Sequence, residues 1–459
     1  MYTIEKSSKK ALHIQLYEQM REDIVKNYKV GQKLPSIRKT ASEYALSKIS
    51  VESAYRQLYA EGYVESVAKS GYFVSDMEYK FLRDEKEEPK REEEVKKLYK
   101  YDFFPAQLSR DSFPLKLWKR LYSLAVDSSL DFGSYHDGRG DLSLREEIVK
   151  YLAESRGVRC SSEQVVVCSG FSDAMGLLAK LVKSKYEYFG MENPGYHVAR
   201  RVFEEYGYKV ERISVKKGGL DVEEFKKSKA KLLYITPSHQ YPTGVVMPVD
   251  KRLKLLERVH QVDGLIIEDD YDSELSYVNR PIPALQALDV RDSVVYMGTF
   301  AKSLSPALRV SYMVLPKQLL SLYSQSYDAH FARVSLTTQK TLSLFMSEGH
   351  WQKHIRKIRT LNKKKHNLMR DILLEKLGEN IEIVAQGGGL AILINPRGAF
   401  NWEFFKQKAE EDGIKLYFAK ERCGGDFEAI RMGFGGFLLE ELEVALDAFC
   451  ELFLQAKEA

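Results

Sequence analysis

A run of almost unbroken charge, Arg83-Asp84-Glu85-Lys86-Glu87-Glu88-Pro89-Lys90-Arg91-Glu92-Glu93-Glu94, interrupts this 459-residue chain early. It has almost nothing to bury, so no core extends through it. The chain must therefore fold separately on either side, and its length suits two or three domains. The expected division is a small unit over residues 8–77, a solvated linker over 78–100 and a large unit over 101–459. A short surface helix in the linker would separate the two units equally well. With 44% hydrophobic and 12% aromatic residues, there is ample material for a core.

Bulk charge says little about partners. The formal net charge is +5, and residues 1–77 hold 12 Lys/Arg against 9 Asp/Glu. A nucleic-acid contact must come from where charge is placed, not from its excess. Cys160, Cys168, Cys423 and Cys450 form no CxxC pair and no metal-ligand spacing. They are expected to be reduced, packed thiols in a cytoplasmic protein without a metal site. The polar start, Met1 to Lys10, has no signal-peptide core. No apolar run approaches the ~18 residues of a membrane span, so no membrane partner is expected.

In the small unit, Ile14, Leu16, Tyr17, Met20, Ile24 and Val25 space a helix over about His13–Asn27. Leu34-Pro35-Ser36 opens a second, and Ser47 is a suitable N-cap for a third that runs to about Gly62. Tyr63–Val67 and Tyr72–Val74 alternate like two strands around the turn Ala68-Lys69-Ser70-Gly71. With Arg38, Ala41, Tyr55, Leu58 and Glu61-Gly62-Tyr63-Val64, these blocks resemble the GntR-family winged helix-turn-helix over about residues 12–76. The resemblance implies double-stranded promoter DNA as partner. Its third helix would enter the major groove, placing Ser47, Lys48 and Ser50 near phosphates and base edges, with Ser36 and Arg38 beside them. The wing would bring Lys69 and Gly71 to the backbone or minor groove. Ser47 also reads as a cap, and Tyr55 and Leu58 as core. Lys48 stands where the family often has Arg, and Ile49 where it has a polar residue. Lysine lacks arginine's bidentate grip on guanine, so the operator sequence does not carry over.

In the large unit, Val165–Val167, Leu232–Ile235, Leu265–Ile267 and Val294–Met297 are short apolar runs suited to central strands covered on both faces. Helical stretches between them predict a large, mainly parallel α/β sheet domain. From about Ser311 the pattern turns helix-rich, and a smaller α+β lobe is expected to close the chain.

The last strand leads into Tyr296-Met297-Gly298-Thr299-Phe300-Ala301-Lys302-Ser303-Leu304, with Arg309 seven residues beyond Lys302. Thr299 and Arg309 suit a phosphate, and a lysine can form a Schiff base with an aldehyde. Upstream, Glu268-Asp269-Asp270-Tyr271-Asp272 ends a strand where α/β sheets bind ligands. There Asp270 or Asp272 would equally serve as helix caps. Cys168-Ser169-Gly170-Phe171 opens a helix, whose free amides suit an anion.

Together these blocks resemble the fold-type I aminotransferases, and closely the MocR subfamily of GntR regulators, over nearly the whole chain. The resemblance implies pyridoxal 5'-phosphate (PLP) on Lys302, with Asp269 on the ring nitrogen and Tyr271 on the ring hydroxyl. Thr299, Arg309, Gly170 and Phe171 would surround the phosphate end. Tyr196, in Glu192-Asn193-Pro194-Gly195-Tyr196, would lie by the ring, and Tyr135 would reach the phosphate of the neighbour in a head-to-tail homodimer. Arg431, in Ala429-Ile430-Arg431-Met432-Gly433, matches the arginine that holds a ligand carboxylate. Two departures stand out. In Thr236-Pro237-Ser238-His239-Gln240-Tyr241-Pro242-Thr243-Gly244, Tyr241 replaces the aminotransferase asparagine, and His239 is expected to pack near the pocket. His197 and Val198 follow Tyr196 where some amine-sensing relatives carry a second arginine. The expected function is transcriptional regulation sensing an amino acid, an amine or PLP itself. An aminotransferase with an accessory DNA-binding domain is the alternative, and a body that has lost PLP is a third reading.

Overall fold

The computed structural model describes residues 2–76, 98–127, 130–277, 282–327, 331–420 and 429–458. It divides into two compact units, Met1–Lys96 and Lys97–Ala459. Most of the predicted linker, and Cys423, lie outside the described residues. Of the stretch 78–100, Tyr99 and Lys100 attach to the second unit: the Tyr99 hydroxyl donates to Glu410 at 2.9 Å, and the Lys100 amide to the Gly413 carbonyl at 2.8 Å.

The first unit holds α1 (Leu12–Asn27), α2 (Ile37–Glu43), α3 (Lys48–Ala60), β1 (Val64–Val67) and β2 (Gly71–Val74). Ser36 and Ser47 cap α2 and α3, accepting from the amides of Lys39 at 3.2 Å and Ser50 at 3.1 Å. Leu16, Ile24, Val51, Tyr55 and Leu58 are wholly buried together. An aliphatic side chain buried this way contributes roughly 1.5–3 kcal/mol over an exposed one. The Tyr55 hydroxyl donates to the Pro35 carbonyl at 2.8 Å, tying α3 to the start of α2. β1 and β2 form an antiparallel hairpin. A segment not anticipated from sequence joins it: Gly31 and Leu34 donate to the Val74 and Tyr72 carbonyls, both at 2.8 Å. Its end overlaps Leu34-Pro35-Ser36, which reads as a helix entry and hid the strand pairing.

The second unit runs β3 (Tyr101–Asp102), α4 (Leu115–Asp127), α5 (Leu142–Arg156), β4 (Val165–Cys168), α6 (Phe171–Leu181), β5 (Tyr188–Asn193), α7 (His197–Glu205), β6 (Lys209–Lys216), β7 (Gly219–Leu220), α8 (Val222–Lys227), β8 (Leu232–Ile235), α9 (Val249–Gln261), β9 (Leu265–Asp270), β10 (Val294–Thr299), β11 (Ser311–Val314), α10 (Lys317–Tyr327), α11 (Leu336–Ser347), α12 (His350–Leu377), β12 (Ile381–Ala385), β13 (Ala391–Pro396), α13 (Trp402–Glu411), β14 (Ile414–Lys415), β15 (Ile430–Gly433) and α14 (Leu439–Glu458). Eight strands form the large sheet in the order β4-β11-β10-β9-β8-β5-β6-β7. The pairs from β10 through β6 are parallel, while β11 and β7 run against their neighbours. Alternation sends Leu265 and Ile267 to one face, with α6 and α7, and Ile266 to the other, with α8 and α9.

The smaller lobe contains the sheet β12-β13-β15 and the short pair β14-β3. Its composition corrects two expectations. Ser311–Val314 is not the start of this lobe but an antiparallel strand of the large sheet, buried along its length between β10 and β4. Conversely, Tyr101–Asp102 at the start of the unit pairs with Ile414–Lys415 near its end. Strands β5 and β6 were not legible as apolar runs. β5 carries Gly190, Glu192 and Asn193, and β6, beside the edge strand, carries Lys209, Glu211, Arg212 and Lys216. Among the described residues no helix is long and apolar enough to cross a membrane, and no His/Cys/Asp/Glu group has a metal-binding arrangement. Cys160, Cys168 and Cys450 are free thiols.

Candidate functional site

The carboxyl ends of β4, β5, β8, β9 and β10 open on one cavity of about 940 Å3. The large sheet supplies Gly170, Phe171, Tyr196, Asp269, Tyr271, Thr299, Lys302 and Arg309 to its walls, and the smaller lobe supplies Arg431. The strand order of the large sheet thus brings residues from Gly170 to Arg309 to one place, and the smaller lobe adds Arg431. Residues 104–110, 112 and 113, which carried no sequence signal for a site, line it as well.

Lys302 sits in the turn that leaves β10. The Thr299 hydroxyl accepts from the Ala301 amide at 3.1 Å, and the Phe300 amide donates to the Val310 carbonyl at 3.1 Å, so the turn is held at both ends. Burial and then the charge of Arg431 lower the Lys302 ammonium to about 8, although Asp272 and Asp269 oppose this. At neutral pH a useful fraction of its amine is unprotonated.

The acidic run at the end of β9 is split by strand alternation. Glu268 faces away from the cavity and accepts from the amides of Leu285 at 2.7 Å and Gln286 at 2.9 Å. Asp270 receives Arg156 Nε and the Tyr296 hydroxyl, both at 2.6 Å. Asp269 alone of the three faces the cavity, where the Tyr234 hydroxyl donates to it at 2.6 Å. Burial raises Asp269 to about 7, with Tyr234 pulling the other way. Neither Asp270 nor Asp272 caps a helix with its side chain. Asp270 is in the buried ion pair, and Asp272 binds His239 Nδ1 at 2.8 Å. Tyr234 was missed because it sits inside an apolar run, and nothing in that run marks its hydroxyl.

At the opposite end of the cavity, Gly170 is the N-cap of α6 with φ +88°. That positive φ favours glycine, and a Cβ there would lie 2.1 Å from Arg309 Nη2 and push the guanidinium aside. Arg309 Nη2 donates to the Ser169 carbonyl at 3.3 Å. A guanidinium and the unpaired amides of a helix's first turn therefore share one corner, an arrangement that receives an anion. Phe171 packs edge-on against Tyr196 at 5.2 Å and Tyr234 at 6.1 Å.

The loop after β8 brings the departures from the aminotransferase pattern into the cavity wall. Tyr241 is buried, and Arg431 lies over its ring, 4.3 Å from the centroid. Tyr196 and Tyr271 meet the same ring edge-on at 5.2 and 6.3 Å. Tyr241 thus gives Arg431 a cation–π platform, which an asparagine does not. His239 lies beside the pocket, with Tyr271 Oη 3.4 Å from its Nδ1. Against its burial, Asp272 raises the affinity of His239 for a proton. Glu192, at the end of β5, anchors this loop by accepting from the Thr236 amide at 3.0 Å and hydroxyl at 2.6 Å. Tyr135 is not in the cavity of its own chain. It is 78% exposed and stacked on Phe331 at 3.9 Å.

In the first unit, Arg38, Ser47 and Lys48 are exposed, Ser50 is half-buried, and Ile49 is 77% exposed on α3. Ser36 and Ser47 both spend their hydroxyls on helix caps. Lys69 and Gly71 shape the hairpin turn with φ +60° and +121°.

Two family profiles match this chain. One, described as bacterial regulatory proteins of the gntR family, covers residues 12–74, and one described as aminotransferase class I and II covers residues 110–448. The chain is 36% identical to the uncharacterized HTH-type transcriptional regulator YdeL of Bacillus subtilis, over 88% of each chain. It is 31% identical to the probable rhizopine catabolism regulatory protein MocR of Rhizobium meliloti, over 91% of this chain and 88% of that one. Among solved structures, kynurenine aminotransferase of Pyrococcus horikoshii superposes with a TM-score of 0.69 at 22% identity, over 78% of this chain and 91% of that one, which shows the same fold. With a gntR-type DNA-binding unit ahead of an aminotransferase class I and II body, the chain belongs to the transcriptional regulators of MocR-type architecture.

Proposed function

We propose that the body of this regulator holds PLP on Lys302 and senses a primary amine, an amino acid above all, and that occupancy of this cavity sets DNA binding by the first unit. The observation that carries the reading is the convergence, on one cavity, of an amine lowered to about 8, a buried acid and an anion-receiving corner. These residues fit PLP. Arg309, Gly170, Phe171 and Thr299 suit its phosphate, Asp269 its ring nitrogen, Tyr271 its ring hydroxyl, and Tyr196 a ring face. Bound there, PLP supplies an aldehyde that amines capture and a ring that withdraws electrons. The chain's own residues do the rest. Asp269, near its midpoint at neutral pH, shares a proton at its carboxyl, and Tyr234 fixes that carboxyl in place. Arg431, held over the Tyr241 ring, would offer its guanidinium to a ligand carboxylate. Lys302 would hold PLP, and the smaller lobe, which carries Arg431, is the part that would respond to an amine ligand. In a head-to-tail homodimer, the exposed Tyr135 serves the partner's phosphate corner. Residues 8–77 act as the DNA reader and 78–100 as the tether, in a cytoplasmic protein.

Arg431→Ala is expected to weaken an amino-acid ligand by roughly 10- to 100-fold, since hydrogen bonds to charged groups are worth about 1.5–3 kcal/mol. PLP retention should not change, and a carboxyl-free amine should bind as before. Equal losses for amine and amino acid, read by spectral titration, would remove the carboxylate role. If PLP is itself the effector, Arg431→Ala leaves the transcriptional response intact.

Arg38→Ala and Lys48→Ala are each expected to weaken DNA binding while leaving the PLP spectrum unchanged. Where the lost contact is to phosphate, the slope of log affinity against log salt should fall by about one. Unchanged affinity across a salt series would take the variant residue out of the interface.

A further inference from the structure

A second cavity, of about 250 Å3, lies behind the lysine turn between α5, α12 and the residues after β9. It shares no lining residue with the first. Its walls include Tyr151, Glu274, Trp351, Arg356 and Arg359.

Three features give it a chemical character. Arg356 and Arg359 stand three residues apart on α12 and so share one face. Among the described residues, Arg359 spends only its Nε, on the Glu274 carbonyl at 2.8 Å. Among the described residues no carboxylate pairs with either guanidinium. Around them, α12 carries Lys353, Lys357, Lys363 and Lys364 and no acid before Asp371, so the local field is positive. Second, Trp351 is 1% exposed and its indole N–H finds no acceptor, an uncommon state for a buried donor. Third, the one carboxyl in the wall, Glu274, accepts from the Tyr151 hydroxyl at 2.8 Å, and burial raises it to about 7. It is therefore partly neutral, cancels little of the arginine charge and in its acid form donates a hydrogen bond.

The donors thus outnumber the acceptors in a pocket large enough for several heavy atoms. We propose that this cavity is a second ligand site, taking a small oxyanion, a phosphate or a short carboxylate, on Arg356 and Arg359 with the Trp351 N–H as a further donor. The site adjoins the first one: the Trp351 ring packs edge-on against Phe300, two residues before Lys302, at 5.1 Å. It does not depend on the PLP reading.

The chain has three tryptophans, so full-length protein labelled with 5-fluorotryptophan gives three fluorine resonances, and Trp351→Phe assigns the one in this wall. Inorganic phosphate and acetate are titrated separately at constant ionic strength, held with chloride. Saturable movement of the Trp351 resonance is expected with at least one of them, and the better probe distinguishes the two sources. Arg356→Ala should weaken that response at least tenfold, Arg356→Lys should recover part of it, and Arg309→Ala and Arg431→Ala should leave it intact. Arg356 is exposed, so its replacement does not threaten the fold. No saturable movement with either anion, an undiminished response in Arg356→Ala, or a response lost in Arg309→Ala would each overturn the proposal.

Discussion

Lys302→Ala is expected to abolish covalent capture of PLP. Wild-type protein should be yellow, and borohydride should fix a pyridoxyl group on Lys302. The variant should yield no such adduct, because the other cavity-wall nitrogen bases are guanidinium groups or a histidine that offer no primary amine. The pH profile gives a sharper test. Only the unprotonated amine is a nucleophile, and lowering a lysine from 10.5 to about 8 raises that fraction at neutral pH by on the order of 10²-fold. Capture by PLP-free protein should therefore accelerate as pH rises and level off above about 8, not above 10. Arg431→Ala removes one of the causes of the lowering and should move that midpoint upward. An adduct mapped to another lysine, or a midpoint near 10, would remove Lys302 from the role.

Arg156→Ala is expected to be among the most destabilising single changes in the body, by about 3–5 kcal/mol. Arg156 and Asp270 are both nearly fully buried, at 2.6 Å from each other. Arg156 also donates to the Ser238 hydroxyl at 2.7 Å and to the Ile282 carbonyl. Removing the guanidinium leaves Asp270 buried with, among the described residues, the Tyr296 hydroxyl as its remaining hydrogen-bond donor. For a unit of this size the melting temperature should fall by roughly 5 °C. Adding Asp270→Asn removes the stranded charge, so the double variant should lose clearly less than the sum of the singles. A loss under about 0.5 kcal/mol for Arg156→Ala would show that the pair is not holding the back of the site.

Much of this was legible in the sequence, and the exceptions have physical causes. Helices α1 to α3 and the hairpin were readable because short amphipathic elements, Ser caps on α2 and α3, and a Lys-Ser-Gly turn announce themselves locally. The central strands were readable as runs of three or four apolar residues. β6 was not, since Lys209, Glu211, Arg212 and Lys216 break up its apolar positions. At the site, motif residues beside strand ends could be found, because a turn, a glycine or an acid marks each of them. Tyr234, Glu192 and Arg156 could not. Each acts through a partner 35 to 114 positions away, and only folding makes those partners neighbours. Tyr241 was visible as a departure from the aminotransferase pattern, but its stacking under Arg431 was not, because the smaller lobe supplies the arginine from a distant strand.

The central claim is that this cavity is read out as DNA binding, not as product. The direct measurement is made on one PLP-loaded preparation, titrated with the common amino acids and simple amines. Promoter-DNA affinity is followed by fluorescence anisotropy, and turnover is followed with a keto acid present. The account predicts that a compound which changes the PLP spectrum also shifts DNA affinity several-fold, with little or no multiple turnover. Sustained turnover on the order of 1 per second or faster, with DNA affinity unmoved by every compound that reaches Lys302, would contradict it.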